Sequence, residues 1–458
     1  MIMTLSSPQQ WAQHEFGFVQ LGDQRRNKRL VQVAKNLAAN PGGTLPQAFD
    51  SWADLKAAYR MFAQEGTTFE KINGPHTKRI RAACREPGEY LLIEDTSTLS
   101  YSGHPATQDL GVVGDGTGRG FELHSTLAVR VQEWTLEQRP EGTLLGLFDQ
   151  QCLRPQPAPK GESRRECLAR ERKSQRWAAA LQSVEAPAEG SQWIFIADRE
   201  ADFYEPMVIC RQKRVDFIIR CAHDRRLAGQ PGMHLREALD KAPCREQRAV
   251  ELRARPGQRA RVAACEIRAV TVDLDGPWRP GGWQPALEKI TAVEVRELKA
   301  PKGAEPLHWI LLTSLPCATS PQLQRVVGRY CARWWIEEYH KALKSGTKVE
   351  ESQLEKASRL EPLIAVLAVV AIRLLSAKML ARSQPDQFHT SVRFGPEVVA
   401  LLQKKFGVPK GGWTNQNFII ALARVGGFLA RKNDGMPGWQ TIWRGWQRII
   451  WMLQGSAA

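Results

Sequence analysis

Residues 90–101 read YLLIEDTSTLSY and contain the first strand of the predicted core. The apolar start predicts a buried strand over Tyr90–Thr96, and Asp95 follows that apolar start. Two similar runs come next, at Leu123–Val131 and Thr143–Asp149, with no helical pattern between them. Strands joined without a crossover helix pair antiparallel. We therefore expect a three-stranded antiparallel unit with Asp95 on its first strand.

Strands and helices alternate after this unit, beginning with WIFIADREADFY at residues 193–204. The pattern predicts a strand at Trp193–Ala197, a helix at Ala201–Arg211 and a strand at Val215–Arg220. Antiparallel strands followed by such alternation give a mixed sheet with helices on its faces, in the order of a ribonuclease-H-like fold. Asp198 ends the fourth strand, at the edge where α/β sheets usually place ligands.

Helical regions flank this predicted α/β core. The first region opens a helix after Asp23, a plausible N-cap, and places a second helix near Ser51–Gln64. Between His223 and Pro306, alternating segments separated by Gly and Pro predict an all-β insert. We expect an N-terminal helical region, an α/β domain with its β insert, and a C-terminal helical region, at residues 1–75, 76–360 (insert 223–306) and 361–458.

The run YCARWWIEEYHKALK, residues 330–344, carries the densest chemistry of the chain. At 3.6 residues per turn, one helix face would hold an acid, an aromatic hydroxyl and three cations. These side chains are Tyr330, Arg333, Glu337, Lys341 and Lys344.

Three acids in this context suggest metal-dependent chemistry on phosphodiesters. Asp95, Asp198 and Glu337 come from two strands and one helix, and two-metal phosphodiester chemistry needs such a carboxylate set. Hard oxygen ligands suit two Mg²⁺ ions, with Mn²⁺ as a substitute. Arg333 and Lys344 would hold phosphates, the first as a fork and the second as a point charge.

Composition supports a partner of negative charge. The 458 residues are 43% hydrophobic and carry a net charge of +16, spread along the chain, which favours a broad surface for binding DNA. Nine cysteines without a C-x-x-C pair argue against a zinc site and a disulfide framework, and indicate the reducing cytoplasm. We expect no signal peptide and no membrane partner, because the longest apolar run, Leu363–Ile372, is too short to span a bilayer and suits a buried helix.

Two other site chemistries use the same residues. Glu337 and His340 have the spacing of a di-iron ligand pair, but a di-iron site needs a second such pair on another helix. The other match in the sequence, Glu305 and His308, contains Pro306, so its acid and imidazole should not share a helix face. Paired acids also occur in glycosidases, although the net charge of +16 argues against a neutral sugar substrate.

An ordered set of motifs resembles the DDE transposases of bacterial insertion sequences, in the branch marked by a Y-R-E-K signature. The motifs are LGDQRRNKRLVQVA, AAYRMF, IEDTSTLSY, DREAD, FIIR, LHWILLTS, the Y-R-E-K run and ARVGGF. The resemblance implies that Asp95, Asp198 and Glu337 form the catalytic, metal-binding triad. It also implies a set of DNA contacts: Tyr330, Arg333, Lys341, Lys344, Arg220, Trp309, Arg25, Arg26, Arg29 and Arg60.

The implied activity is cut-and-paste transposition. Hydrolysis nicks one strand at the element end, and the freed 3′-hydroxyl attacks the opposite strand to form a hairpin. Water opens the hairpin, and the end is joined to target DNA by a homodimer that holds both ends. The resemblance thus implies end-DNA binding by residues 1–75, catalysis by residues 76–360 and dimerisation by residues 361–458, in a bacterial protein associated with the nucleoid. Trp309 would stack near a flipped base, as aromatic side chains do in base-flipping enzymes. The alternatives are a structure-specific nuclease of the same fold without strand transfer, and a decayed element protein that binds DNA without cutting it.

Overall fold

The computed structural model describes residues 8–157, 159, 161–163, 175–252, 259–279, 281–383, 386, 396–431 and 434–456. The helices of this part are α1 Pro8–Phe16, α2 Gln24–Ala39, α3 Trp52–Phe62, α4 Phe69–Ala83, α5 Gln175–Gln182, α6 Tyr204–Gln212, α7 Leu235–Lys241, α8 Ser320–Cys331, α9 Trp334–Lys341, α10 Ala357–Ser383, α11 Pro396–Phe406, α12 Asn415–Val425 and α13 Trp439–Ser456. The strands are β1 Gly88–Ser100, β2 Gly111–Val113, β3 Gly118–Trp134, β4 Pro140–Leu153, β5 Ser191–Ala197, β6 Asp216–Arg220, β7 Cys244–Leu252, β8 Arg261–Leu274, β9 Trp278–Arg279, β10 Gly282–Trp283, β11 Leu287–Glu297 and β12 His308–Thr313.

The core sheet confirms the predicted ribonuclease-H-like order. Strand β1 pairs antiparallel with β3, and β3 pairs with β4. On its other side β1 pairs parallel with β5, which pairs parallel with β6. The spatial order β4-β3-β1-β5-β6 therefore joins an antiparallel unit to a parallel one, as the alternation of strands and helices predicts. Helices α5 and α6 pack against each other beside this sheet.

The β insert continues the core sheet. Strand β12 pairs antiparallel with β6, and β11, β8 and β7 follow in that order, so ten described strands belong to one sheet. Leu311 of β12 lies opposite Arg220 of β6, which fixes the register between insert and core. The insert is not entirely β as expected, because it also contains the short helix α7. Leu235 and Leu239 of α7 are buried and give this helix its attachment.

The N-terminal region consists of helices, as expected. The Asp23 side chain accepts a hydrogen bond from the Arg25 backbone N–H and caps α2. Helix α4 was not predicted from the sequence. It nevertheless runs from Phe69 to Ala83 through Pro75, with Ile72, His76 and Ile80 buried against the rest of the protein.

Helix α10 is longer than the apolar run predicted within it. The helix continues beyond Arg373, whose buried guanidinium lies 5.2 Å from the centre of the Trp11 ring. Within Ala357–Met379 an 18-residue window has a mean hydropathy of 2.1, enough for a membrane span by length and composition, but 89% of that window is buried inside the protein. The expectation of a buried helix is therefore confirmed.

Candidate active site and DNA-binding surface

Two of the three predicted acids meet where β1 and β5 run side by side. The parallel register pairs Ile93 with Ile196, and two residues further along each strand come Asp95 and Asp198. The Asp198 carboxylate accepts a hydrogen bond of 2.8 Å from the Glu200 backbone N–H and so caps the turn after β5. Burial, together with the negative charge of Asp198, raises the pKa of Asp95 to about 7. The two carboxylates thus repel each other in a poorly solvated position.

Glu337 joins these acids through Arg333. The Arg333 guanidinium donates one hydrogen bond to Asp95 Oδ2 at 3.3 Å and another to Glu337 Oε1 at 2.5 Å. Its side chain is 15% exposed, against 17% for Asp95 and 27% for Glu337. Burial alone would lower the pKa of Arg333, but Tyr330 and the carboxylates of Asp95, Glu337 and Asp198 raise it. All three predicted acids therefore surround one cation.

The Y-R-E-K run does not form the single regular helix that was expected. Helix α8 ends at Cys331, and α9 begins at Trp334. Between them the Ala332 backbone N–H bonds to the carbonyls of Gly328 and Arg329, which tightens the turn. After α9 the backbone continues as one π-helical turn at Ala342–Gly346, a feature frequent at functional sites.

The three acids have the oxygen ligands that a divalent cation prefers. In the described ranges, no three His, Cys, Asp or Glu side chains lie close enough to hold one ion, because Arg333 stands between Asp95 and Glu337. The donors themselves suit Mg²⁺, since all three are carboxylates. The raised pKa of Asp95 also indicates a repulsion between acids that a cation would relieve. The donor chemistry therefore fits Mg²⁺, while the Arg333 guanidinium occupies the space between Asp95 and Glu337.

A groove of about 320 Å³ opens beside the acids, between the insert and α8–α9. Trp309 of β12 is half-buried at its wall, and its ring contacts the Tyr330 ring edge to face, with centroids 5.0 Å apart. Arg220 donates a hydrogen bond to the Tyr330 hydroxyl and another, of 3.2 Å, to the His308 carbonyl. Aromatic rings and cations together form a surface suited to a nucleotide.

Of the two predicted lysines, Lys341 directly precedes the π turn and Lys344 lies within it. Lys341 is exposed, and its ammonium group lies 4.7 Å from the centre of the Trp334 ring. Lys344 is half-buried, with its ammonium 3.7 Å from a carboxylate oxygen of Glu350. Neither distance involves the three acids, so both lysines stand at the border of the cluster.

The four N-terminal arginines differ in how free they are to contact a ligand. The Arg25 side chain is 92% exposed and lies 3.5 Å from Asp23, whereas Arg26 donates to the Leu21 carbonyl. Arg29 donates to Asp54 at 2.6 Å. Arg60 is exposed in the last turn of α3.

The groove also contains residues that sequence analysis did not select. Arg199 directly follows Asp198, so its position in DREAD could have identified it. Arg261 gave no local signal, and His308 was considered only as a possible iron ligand, because each reaches the groove through pairing with a distant acid. His308 Nε2 lies 2.8 Å from Glu294, and Arg261 is bonded to Glu297.

Comparison with known protein families gives matches near both ends of the chain. Residues 8–66, which include α1–α3 and the four arginines, match the family described as "Transposase DNA-binding". Residues 369–458, which include the end of α10 and the helices after it, match the family described as "Transposase Tn5 dimerisation domain". The protein thus has a DNA-binding region and a homodimerisation region on either side of a ribonuclease-H-like core. The two matches together support a Tn5-like transposase.

Proposed function

We propose that this transposase moves DNA by cut-and-paste transposition, with Asp95, Asp198 and Glu337 as the residues that hold two Mg²⁺ ions. The observation that carries this proposal is the gathering of the three acids around Arg333, at the edge of the sheet beside a basic and aromatic groove. When bound, such ions activate the attacking oxygen and stabilise the leaving oxygen of a phosphodiester. Mn²⁺ has the same preference for oxygen ligands and would substitute.

Arg333 has two roles in this proposal. In the protein alone its guanidinium neutralises Asp95 and Glu337. When DNA occupies the groove, a phosphate offers the same fork geometry and draws the guanidinium away from the carboxylates. Lys344 and Lys341 supply further positive charge at the border of the acid cluster. Arg220 and Tyr330, which are hydrogen-bonded to each other, contact the DNA strand in the groove.

The reaction begins with hydrolysis. Water breaks one phosphodiester bond at the transposon end and leaves a 3′-hydroxyl, which then attacks the opposite strand. That attack breaks a second phosphodiester bond and closes the end as a hairpin, while Trp309 supplies a stacking surface for a displaced base. A second water opens the hairpin, and the 3′-hydroxyl joins target DNA. A homodimer would hold both ends in one synaptic complex.

The test uses the purified full-length protein, Mg²⁺ and duplexes taken from the DNA flanking its coding region. Hairpin ends are expected, and Asp198→Ala should abolish them while end binding in a gel shift stays within a few-fold. Glu185→Ala is the matched control, because this acid is 84% exposed and remote from the cluster. Simple nicks without hairpins would indicate a nuclease, and shifted but intact DNA a binding protein. Equal loss of binding in Asp198→Ala would make Asp198 a structural residue.

A further inference from the structure

A small hairpin of the insert displays two tryptophans to solvent. Strands β9 and β10 have two residues each, and Trp278 lies directly opposite Trp283. Directly opposed residues project from the same face of a two-stranded ribbon. Their exposed fractions are 54% and 75%, so the pair leaves on the order of 300 Å² of mainly aromatic surface in water. Isolated exposed apolar residues are ordinary, but a pair on one face marks a binding surface.

The base of this hairpin is firmly built. The Gln284 backbone N–H donates to the Pro277 carbonyl at 3.0 Å. At Gly276 an added Cβ would lie 2.0 Å from the Gln284 carbonyl oxygen, so only glycine permits this close approach. Gly282, at the other end, has a φ of 115°, which L-residues rarely adopt. The sequence therefore holds the two tryptophans in a fixed presentation.

The hairpin is attached to the segment that follows Asp198. Arg279 Nε donates to Glu205 at 2.6 Å, and the Tyr204 hydroxyl donates to the Pro285 carbonyl at 2.9 Å. The residue before Tyr204 is Phe203, which lines a cavity of about 410 Å³ together with Thr96, the neighbour of Asp95. The tryptophan pair is thus attached to the segment that follows Asp198, whereas the Trp309 groove is formed by the insert, β12 and α8–α9.

We propose that Trp278 and Trp283 bind unpaired nucleotides of the DNA beside the cleavage position by stacking on their bases. The net charge of +16 and the exposed cations Arg211 and Lys289 near the hairpin favour a polyanion. Bases in a duplex hide their faces against their neighbours, whereas unpaired bases expose them to aromatic side chains.

A second copy of the chain suits this surface poorly. The two rings offer on the order of 300 Å², whereas a stable protein interface needs about 800 Å² from each partner. The family match for dimerisation also lies elsewhere, at residues 369–458. The proposal requires DNA binding by this protein but not the two-metal chemistry, so each can fail without the other.

The test compares two probes in metal-free buffer: an end-containing duplex, and the same duplex with a short single-stranded extension of thymines. Stacking is worth about 1–3 kcal/mol per base, so Trp278→Ala/Trp283→Ala should weaken binding of the extended probe by at least about five-fold. Binding of the paired duplex should change less than about two-fold. Trp278→Phe/Trp283→Phe should retain most of the affinity, because a phenyl ring still stacks.

Leu298→Ala is the matched control, because this residue is also apolar, 55% exposed and part of the insert. Circular dichroism and thermal unfolding of each variant check that the fold is intact. Equal weakening on both probes, or no weakening on either, would overturn the proposal. Loss of the dimer in the alanine variant would assign the surface to a protein contact. Binding of the wild type to anionic phospholipid vesicles through these tryptophans would assign it to a membrane.

Discussion

Replacing Arg333 by glutamine should make the DNA-free protein bind divalent cations more tightly. In the wild type, a cation must displace a guanidinium that is bonded to both Asp95 and Glu337, at 3.3 and 2.5 Å. Glutamine keeps a polar side chain of moderate size but removes the positive charge. The variant therefore leaves the carboxylates to repel one another until a cation neutralises them.

The size of the effect follows from the contacts that are lost. A hydrogen bond to a charged group contributes about 1.5–3 kcal/mol, and both contacts are mostly shielded from water. The bond of 3.3 Å is long, so we count only the bond to Glu337, at about 2 kcal/mol. That value corresponds to a gain in Mn²⁺ affinity of about thirty-fold.

The assay is a titration of the DNA-free protein with Mn²⁺, followed by the electron paramagnetic resonance signal of the free ion. Lys344→Gln is the control, because it removes one nearby positive charge, that of an ammonium group 3.7 Å from a carboxylate oxygen of Glu350. This control should change the affinity by no more than about three-fold. Adding end DNA to the wild type should raise Mn²⁺ affinity as well, and Arg333→Gln should lose most of that gain, since coupling between two ligands is reciprocal.

If Arg333→Gln binds Mn²⁺ no more tightly than the wild type, the Arg333 guanidinium does not compete with the cation for the carboxylates. An equal gain in Lys344→Gln would also contradict such competition, because the effect would then come from the general field and not from displacement of the guanidinium.

Two further predictions concern DNA binding and stability. End binding should weaken with salt at a log–log slope of about −0.9 per phosphate contact, and Arg25→Gln should reduce that slope by about 0.9 in filter-binding measurements; an unchanged slope would remove Arg25, whose side chain is 92% exposed, from the contacts. Burial alone would raise the pKa of Glu15, but His76 and Arg79 lower it to about 2, from an ordinary value of 4.5. A depressed carboxyl pKa stabilises the fold fully above about pH 4.5 and progressively less as the pH falls toward 2, so Glu15→Gln should lose about 3 kcal/mol at pH 7 and roughly half of that or less at pH 3. Urea unfolding at the two pH values measures the difference, and an equal loss at both would contradict the ionic origin of the effect.

The core strands could be predicted because each has a strong local signal. The runs at 90–96 and 193–197 are apolar and end at acids, and the structure extends them into β1 and β5. Their parallel register, which brings Asp95 level with Asp198, could not be read from either run alone. It depends on the pairing of segments that are far apart in the chain, and such pairing leaves no mark on local periodicity.

The break within the Y-R-E-K run had no local signal of the usual kind. No Pro or Gly lies between Tyr330 and Lys344, so the helical pattern reads as continuous. Tertiary contacts determine the outcome instead: Tyr330 packs on Trp309, and Arg333 bonds to Asp95, a residue 238 positions away. Helix α4 shows the opposite case, because it continues through Pro75, a residue that disfavours helix interiors, with Ile72 and His76 buried.

The uninterrupted hydrogen bonding from β4 to β7 joins the core and the insert in one continuous, rigid sheet. A nucleotide that stacks on Trp309 of β12, as proposed, would therefore stay at a nearly constant distance from Asp198, because only β6 separates β12 from β5. The paired strands between Trp309 and Asp198 contain no hinge that would let these two residues move apart when DNA is bound. Side-chain and backbone movements during the reaction would instead occur in the interrupted helical segment around Arg333, which is the part of the site outside the sheet.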